Sequence, residues 1–249
     1  GGIGIMLAGA SLPLMIEVWG TGSWRYGWYI IGVISVACLP LSLWAAARLS
    51  VPAQRNTAAG GIKLHLIWRE LAGYVGFAMG YIVYLTFLSA WMTDQQAPAL
   101  LISAVWIIMG VALIASPFVW RGVLARHASG KPLAMILTGI AIGSALPLVL
   151  PAGGAVVISA VVFGLCVFMA PGAITSFIRQ NLPAESWAAA MSLFTVVFAI
   201  AQTAGPFAAG ALGDLTGNIG SSLLAAAAIL LTGAAVVAFQ KPLPQQDPG

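Results

Sequence analysis

Charged side chains are scarce in this chain. They make up 6% of its 249 residues, whereas hydrophobic residues make up 61%. A soluble globular domain carries about 25% charged residues, so the composition excludes such a domain and indicates that most of the chain lies in a lipid bilayer. The formal net charge of +4 does not indicate a nucleic-acid partner, because the charges lie in short loops between apolar segments.

Reactive side chains are also few. The two cysteines, Cys38 and Cys166, fall in different apolar segments and predict neither a disulfide framework nor a thiolate metal site. His65 and His127 lie in separate loops, without the clustered ligands that a metal needs. No glycine-rich phosphate-binding loop follows a strand. The sequence therefore predicts no catalytic residue, no metal and no cofactor, and argues against an enzyme or an ATP-driven pump.

Eight hydrophobic segments are each long enough to cross a bilayer, which takes about 20 residues. Lipid cannot hydrogen-bond free backbone groups, so each segment must be helical or part of a closed barrel. The segments are continuously apolar and lack the alternation of barrel strands. The sequence thus predicts an all-α polytopic membrane protein with spans at about 1–19, 26–46, 71–91, 98–120, 133–150, 154–177, 187–212 and 221–239.

Lysine and arginine are distributed asymmetrically over the loops between these spans. Nine lie on one side of the predicted membrane, and Arg25 alone lies on the other. Because cytoplasmic loops are enriched in Lys and Arg, loop 48–69 and the C-terminal tail 241–249 are predicted to be cytoplasmic. The nine are Arg48, Arg55, Lys63, Arg69, Arg121, Arg126, Lys131, Arg179 and Lys241.

The longest connection separates two spans from six. The predicted units are therefore residues 1–47, the loop 48–69, a six-helix unit over 70–240 and the tail 241–249. A single offset of 193 positions also relates the first span to the seventh, as expected of parallel repeats in membrane transporters. It superimposes Ala8 on Ala201, Pro13 on Pro206, Gly20 on Gly213 and Gly27 on Gly220.

Two spans carry rows of small residues. Such a row leaves one helix face nearly free of side chains and lets another membrane helix approach closely. In the seventh span, Pro206 also removes a backbone donor in mid-helix and predicts a bend. The rows are Ala201, Gly205, Ala209 and Gly213 in the seventh span, and Gly73, Gly76 and Gly80 in the third.

Several segments resemble transporters of the major facilitator superfamily (MFS). The seventh span is similar to the eleventh helix of that family through Gln202, Gly205, Pro206, Gly210, Asp214, Thr216 and Gly217. The first span is similar to the fifth helix through Gly4, Gly9 and Pro13, and residues 24–28 are similar to the Trp-Arg-aromatic opening of the sixth helix. Residues 80–87 resemble the YbfB/YjiJ-type subgroup. Residues 122–131 resemble the signature loop after the eighth helix, with Arg126 where the family has Asp.

The resemblance implies an architecture and a function. Spans one and two would be the last two helices of the N-terminal MFS half, and the other six the whole C-terminal half, with four further helices expected before residue 1. The implied function is secondary active transport of a small solute across a bacterial inner membrane by alternating access, with proton coupling left open. The alternatives are a non-transporting scaffold or receptor-like relative and, less favoured, a membrane-embedded enzyme.

Polar side chains deep in lipid are costly, so each is a functional candidate. Tyr81, Tyr84 and Gln202 are predicted solute contacts, because the resemblance implies that the helix with both tyrosines lines the cavity. Aromatic packing and interhelical hydrogen bonding are the alternatives. Glu17 is the candidate for coupling, with interfacial anchoring as its alternative, and Glu70 falls near a predicted helix end. The residues predicted for packing or hinge bending are Gly9, Pro13, Pro171, Gly205, Pro206, Gly210 and Gly213.

Overall fold

The computed structural model describes residues 1–49, 63–150 and 153–244, and every regular element within them is helical. Nine α-helices occur in this part of the chain, with short 3₁₀ helices at Thr21–Ser23 and Ala184–Ser186. The predicted all-α fold is confirmed. The helices are α1 Gly2–Trp19, α2 Trp24–Arg48, α3 Leu64–Asp94, α4 Ala99–Arg126, α5 Lys131–Val149, α6 Gly153–Val167, α7 Met169–Asn181, α8 Trp187–Thr216 and α9 Ile219–Ala238.

Eight segments among the described residues are long and apolar enough to cross a membrane, which confirms the predicted number of spans. α6 and α7 together form one of these segments, interrupted at Phe168, and each other α-helix forms its own. α3 begins at Leu64, so the end of the predicted loop 48–69 is helical. Residues 50–62 of that loop and 245–249 of the tail lie outside the described residues.

The helices pack in an order that differs from their order along the chain. α9 packs between α3 and α5, and α8 packs against α3 and, less extensively, against α9. α6 packs against both α4 and α5, and α1 packs against α4. The buried apolar side chains come mainly from α3, α5, α6, α7 and α9. α3 therefore contacts several helices, and its polar side chains have partners on more than one of them.

Glycine lets α3 and α9 approach at backbone distance. A Cβ built on Gly76 would lie 3.3 Å from the Cα of Gly233, and one built on Gly80 would lie 3.0 Å from the carbonyl oxygen of Ala226. A Cβ on Gly73 would lie 2.7 Å from the Cβ of Val237. The glycine row of the third span is thus a close-packing surface, as predicted, and its partner is α9.

α2 packs loosely, and almost all of its side chains are exposed although they are apolar. Gly27 is its only buried residue, while Ile34, Val36 and Leu41 are each more than half exposed. An apolar helix with this much exposed surface requires lipid or another helix around it. This supports the assignment of the chain to the membrane.

Candidate functional site

Tyr81 and Gln202, two of the predicted solute contacts, lie against each other. The Tyr81 hydroxyl donates a hydrogen bond of 2.6 Å to Oε1 of Gln202 and so joins α3 to α8. Tyr81 is 8% exposed, and Gln202 is half-buried. The amide nitrogen of Gln202 donates to no other described residue. Because an amide nitrogen carries two N–H donors, this side chain keeps unused hydrogen-bonding capacity within a membrane span.

An aromatic cluster of five rings includes Tyr81 and extends from it toward the first residues of α3 and α8. The Phe77 ring stacks on Tyr81 with 4.5 Å between ring centroids, and the Phe198 ring lies 5.9 Å from Tyr81. These distances fall in the range of favourable aromatic contacts. Tyr74, Phe77 and Tyr81 of α3, with Phe194 and Phe198 of α8, make up the cluster. It fixes the ring that carries the Tyr81 hydroxyl.

The α8 half of this cluster was missed by sequence reasoning, although it leaves a signal there. Phe194, Phe198 and Gln202 recur at every fourth position, and such residues share one face of a helix. A search for the aromatic neighbours of Gln202 at this spacing finds both rings. The same four-residue spacing thus identifies two rows on α8, the small-residue row and the row of Phe194, Phe198 and Gln202.

Tyr84 faces a different part of the bundle. It has no exposed surface, its ring lies 4.2 Å from that of Phe163, and its hydroxyl lies 2.5 Å from the Ser159 hydroxyl. Ser159 donates its single proton to the carbonyl oxygen of Gly143 at 2.5 Å, so Tyr84 is the donor to Ser159. Tyr81 and Tyr84 therefore have different partners. Three helical positions turn their side chains about 60° apart, which is enough for one to contact α8 and the other α6.

The small-residue row of α8 lies directly beside the Tyr81–Gln202 pair. Ala201, Gly205 and Ala209 are buried, and a Cβ on Gly205 would lie 2.6 Å from the carbonyl oxygen of Met79 in α3. Farther along, a Cβ on Gly213 would lie 3.2 Å from Oγ of Ser222 in α9. The row therefore contacts α3 first and α9 next.

The other predicted packing residues of α8 lie away from this contact. A Cβ on Gly210 would meet nothing within 4 Å, so this glycine borders open space among the described residues. Pro206 is half-buried, and α8 runs without interruption through it from Trp187 to Thr216.

Gly9 and Pro13 lie where α1 meets α4. A Cβ on Gly9 would collide with the side chain of Trp106. The Trp106 indole N–H donates to Oγ of Ser89 in α3 at 2.9 Å. A cavity of about 240 Å³ lies between α1, Trp106 and Ser89 and includes Pro13 in its lining. This space is lined mainly by apolar side chains.

The remaining predicted residues occupy separate positions. Pro171 lies in the first turn of α7, just after the interruption at Phe168, where a proline costs no internal hydrogen bond. Glu17 is exposed in the last turn of α1. Neither contacts the Tyr81–Gln202 pair. No group of three or more His, Cys, Asp or Glu side chains suited to a metal occurs in the described ranges.

Eight helical segments long and apolar enough to cross a membrane, two of them joined by the Tyr81–Gln202 hydrogen bond, define a polytopic membrane protein. The family model described as "Uncharacterised MFS-type transporter YbfB" matches residues 1–238. The chain therefore belongs to this family of MFS-type transporters, which confirms the resemblance drawn from the sequence. Membership suggests a transporter rather than an enzyme. No curated protein matches the chain.

Proposed function

We propose that this chain is a secondary active transporter that moves a small, partly apolar solute across the bacterial inner membrane by alternating access. The observation that carries the proposal is the Tyr81–Gln202 contact, in which a buried hydroxyl orients an amide whose N–H donors have no described acceptor. A solute carbonyl or hydroxyl could accept from that amide while its apolar part rests on Phe198.

Alternating access is supported by the contact between α1 and α4. In the MFS resemblance these helices belong to opposite halves of the transporter. A Cβ on Gly2 would lie 2.8 Å from the carbonyl oxygen of Gly110, and one on Gly110 would lie 2.8 Å from that of Gly2. At this point the two helices meet through glycines, with no side chain between the two backbones. Such an interface suits two halves that rock against each other around a central solute.

Removing the polar groups of the pair is expected to weaken solute binding without unfolding the protein. Tyr81→Phe and Gln202→Ala should each lower affinity about two- to tenfold, since one hydrogen bond contributes about 0.5–1.5 kcal/mol. A thermal-shift screen of purified full-length protein against small uncharged and aromatic compounds would supply the ligand. Calorimetric titration of the variants with that compound then measures affinity.

Tyr84→Phe is the matched control, because it removes the same hydroxyl from the same helix. It should lower the unfolding midpoint, through loss of the hydrogen bond to Ser159, and leave affinity unchanged. Unchanged affinity in both Tyr81→Phe and Gln202→Ala would remove the proposed site. Binding without uptake of the same compound into proteoliposomes would favour the non-transporting alternative.

We also propose that the loop 48–69 and the C-terminus are cytoplasmic. Asp94 ends α3, Glu185 lies between α7 and α8, and both are exposed. Single cysteines at these two positions, with Cys38 and Cys166 replaced, should react from opposite sides of the membrane. A membrane-impermeant maleimide applied to intact spheroplasts is expected to label position 94 and not position 185. Labelling of position 185 alone would reverse the proposed orientation.

A further inference from the structure

A buried carboxyl group lies at the start of α3, away from the Tyr81–Gln202 pair. Glu70 is 1% exposed, and its Oε2 atom accepts no hydrogen bond from any described residue. Sequence reasoning assigned Glu70 only to a helix end. Its burial comes from distant parts of the chain, because Gly130 before α5 and Gln240 after α9 close over it.

Gln240 presents a second unused acceptor at the same place. Its amide nitrogen donates to the carbonyl oxygens of Leu66 and Lys241, both at 2.9 Å. Its Oε1 atom is buried and has no donor among the described residues. The orientation of the amide is fixed, because exchanging its oxygen and nitrogen would set an acceptor against two carbonyl oxygens. Gln240 therefore has no N–H left for Glu70.

Gly130 brings the two side chains together. A Cβ built on Gly130 would lie 2.9 Å from Oε2 of Glu70 and 2.7 Å from the Cβ of Gln240. The backbone N–H of Gly130 also donates to the carbonyl oxygen of Gln240 at 3.0 Å. The Gln240 amide reaches α3 at Leu66, one helical turn before Glu70. Two buried acceptor groups are thus neighbours, and no described group donates to either.

None of the other titratable side chains described near Glu70 forms a hydrogen bond or an ion pair with it. Lys131 at the start of α5 and Lys241 after α9 are exposed. Arg69 lies over the Trp68 ring at 5.0 Å, His127 contacts the carbonyl oxygen of Val123, and Tyr74 belongs to the aromatic cluster. No described residue forms an ion pair with Glu70. A buried carboxylate without a partner is costly, as is a buried amide oxygen without a donor.

We propose that Glu70 is a proton-binding site and that the bound proton forms an O–H that donates to Oε1 of Gln240. One proton then removes the charge from the carboxyl group and supplies the donor that Gln240 lacks. This hydrogen bond joins the first turns of α3 to Gln240, just after the end of α9, beside Gly130 at the N-cap of α5. A role for this proton in coupled transport rests on the proposed function. The binding of the proton to Glu70 does not depend on that function.

Infrared spectroscopy of the purified full-length protein in lipid nanodiscs tests the proposal directly. A protonated carboxyl group has a C=O stretching band that is separate from those of carboxylates and amides. The wild-type protein at neutral pH should show such a band, and Glu70→Gln should lack it. Glu185→Gln, which changes an exposed carboxylate, should keep the band. Gln240→Leu should keep the band but shift its frequency, because the hydrogen-bond acceptor is gone.

Thermal unfolding supplies a second readout. Glu70→Gln should stay within about 2 °C of the wild-type midpoint, since its N–H can donate to Gln240, whereas Glu70→Ala should fall by roughly 5 °C. The proposal is overturned if the infrared spectrum contains no protonated-carboxyl band that depends on Glu70. It is also overturned if Glu70→Gln lowers the unfolding midpoint as much as Glu70→Ala does. Neither measurement needs a solute, so a negative result here would leave the proposal for Tyr81 and Gln202 untouched.

Discussion

Gly205→Leu is expected to abolish most folded protein, because it forces α3 and α8 apart. Even a single methyl group at this position would lie 2.6 Å from the carbonyl oxygen of Met79, and the backbone cannot move aside as a flexible side chain could. Overpacking a close contact costs about 1–3 kcal/mol, and a leucine against backbone should reach or exceed the upper end. The yield of monodisperse protein and its unfolding midpoint measure the effect.

Gly210→Leu is the matched control for this substitution. It makes the same change in the same helix, at a position where an added Cβ meets nothing within 4 Å. It should be tolerated, with a small gain from the higher helix propensity of leucine. Equal yields and midpoints for Gly205→Leu and Gly210→Leu would show that the α3–α8 contact does not depend on the small residue at 205.

The rows of small residues were accessible from the sequence because helix periodicity decides which residues share a face. Gly73, Gly76 and Gly80 predict a close contact without the structure. The identity of the partner does not follow from the period. α9 packs on this row, and α8 packs elsewhere on α3, which only the tertiary arrangement determines.

The candidate site was predictable in part. Polarity at membrane depth singles out both Tyr81 and Gln202, and the structure pairs them. Tyr84 carries the same sequence signal, but its hydroxyl bonds to Ser159 of α6 and not to α8. Helix geometry gives the angle between two side chains, but it does not identify the helices that each side chain contacts. Contact with both α8 and α6 separates the two tyrosines.

Glu70 shows a different limit of sequence reasoning. Near a helix end and beside Arg69, a carboxylate is expected to be solvated or paired with a cation. Its burial depends on Gly130, whose missing side chain admits Val237 and Gln240 from the end of α9. These residues are remote from Glu70 in sequence. Composition and periodicity hold no information about such a contact.

The contact between α1 and α4 connects the fold to the proposed mechanism. Ser103 of α4 donates to the carbonyl oxygen of Ala10 at 3.1 Å, close to the contact of Gly9 with Trp106. Trp106 in turn is bonded to Ser89 of α3. Movement of α1 against α4 is therefore expected to displace α3, the helix that carries Tyr81, through the Trp106–Ser89 hydrogen bond. We therefore expect the α1–α4 interface to be sensitive to substitutions that force the two helices apart.

Gly9→Leu should disrupt this interface and leave the six-helix unit intact. A side chain at this position collides with Trp106, and relief of the collision requires α1 to leave α4 or Trp106 to leave Ser89. We expect a loss of about 1–3 kcal/mol in packing, together with at least a tenfold loss of solute uptake in proteoliposomes. Tryptophan fluorescence would report the displaced Trp106.

Gly4→Leu provides the comparison, since an added Cβ at Gly4 in the same helix meets nothing within 4 Å. It should retain wild-type uptake and fluorescence. The C-terminal helices α3 to α9 contact one another without α1, so Gly9→Leu should still yield helical, monodisperse protein by circular dichroism and size exclusion. If Gly9→Leu takes up solute at the wild-type rate, the α1–α4 contact is not the interface on which alternating access depends.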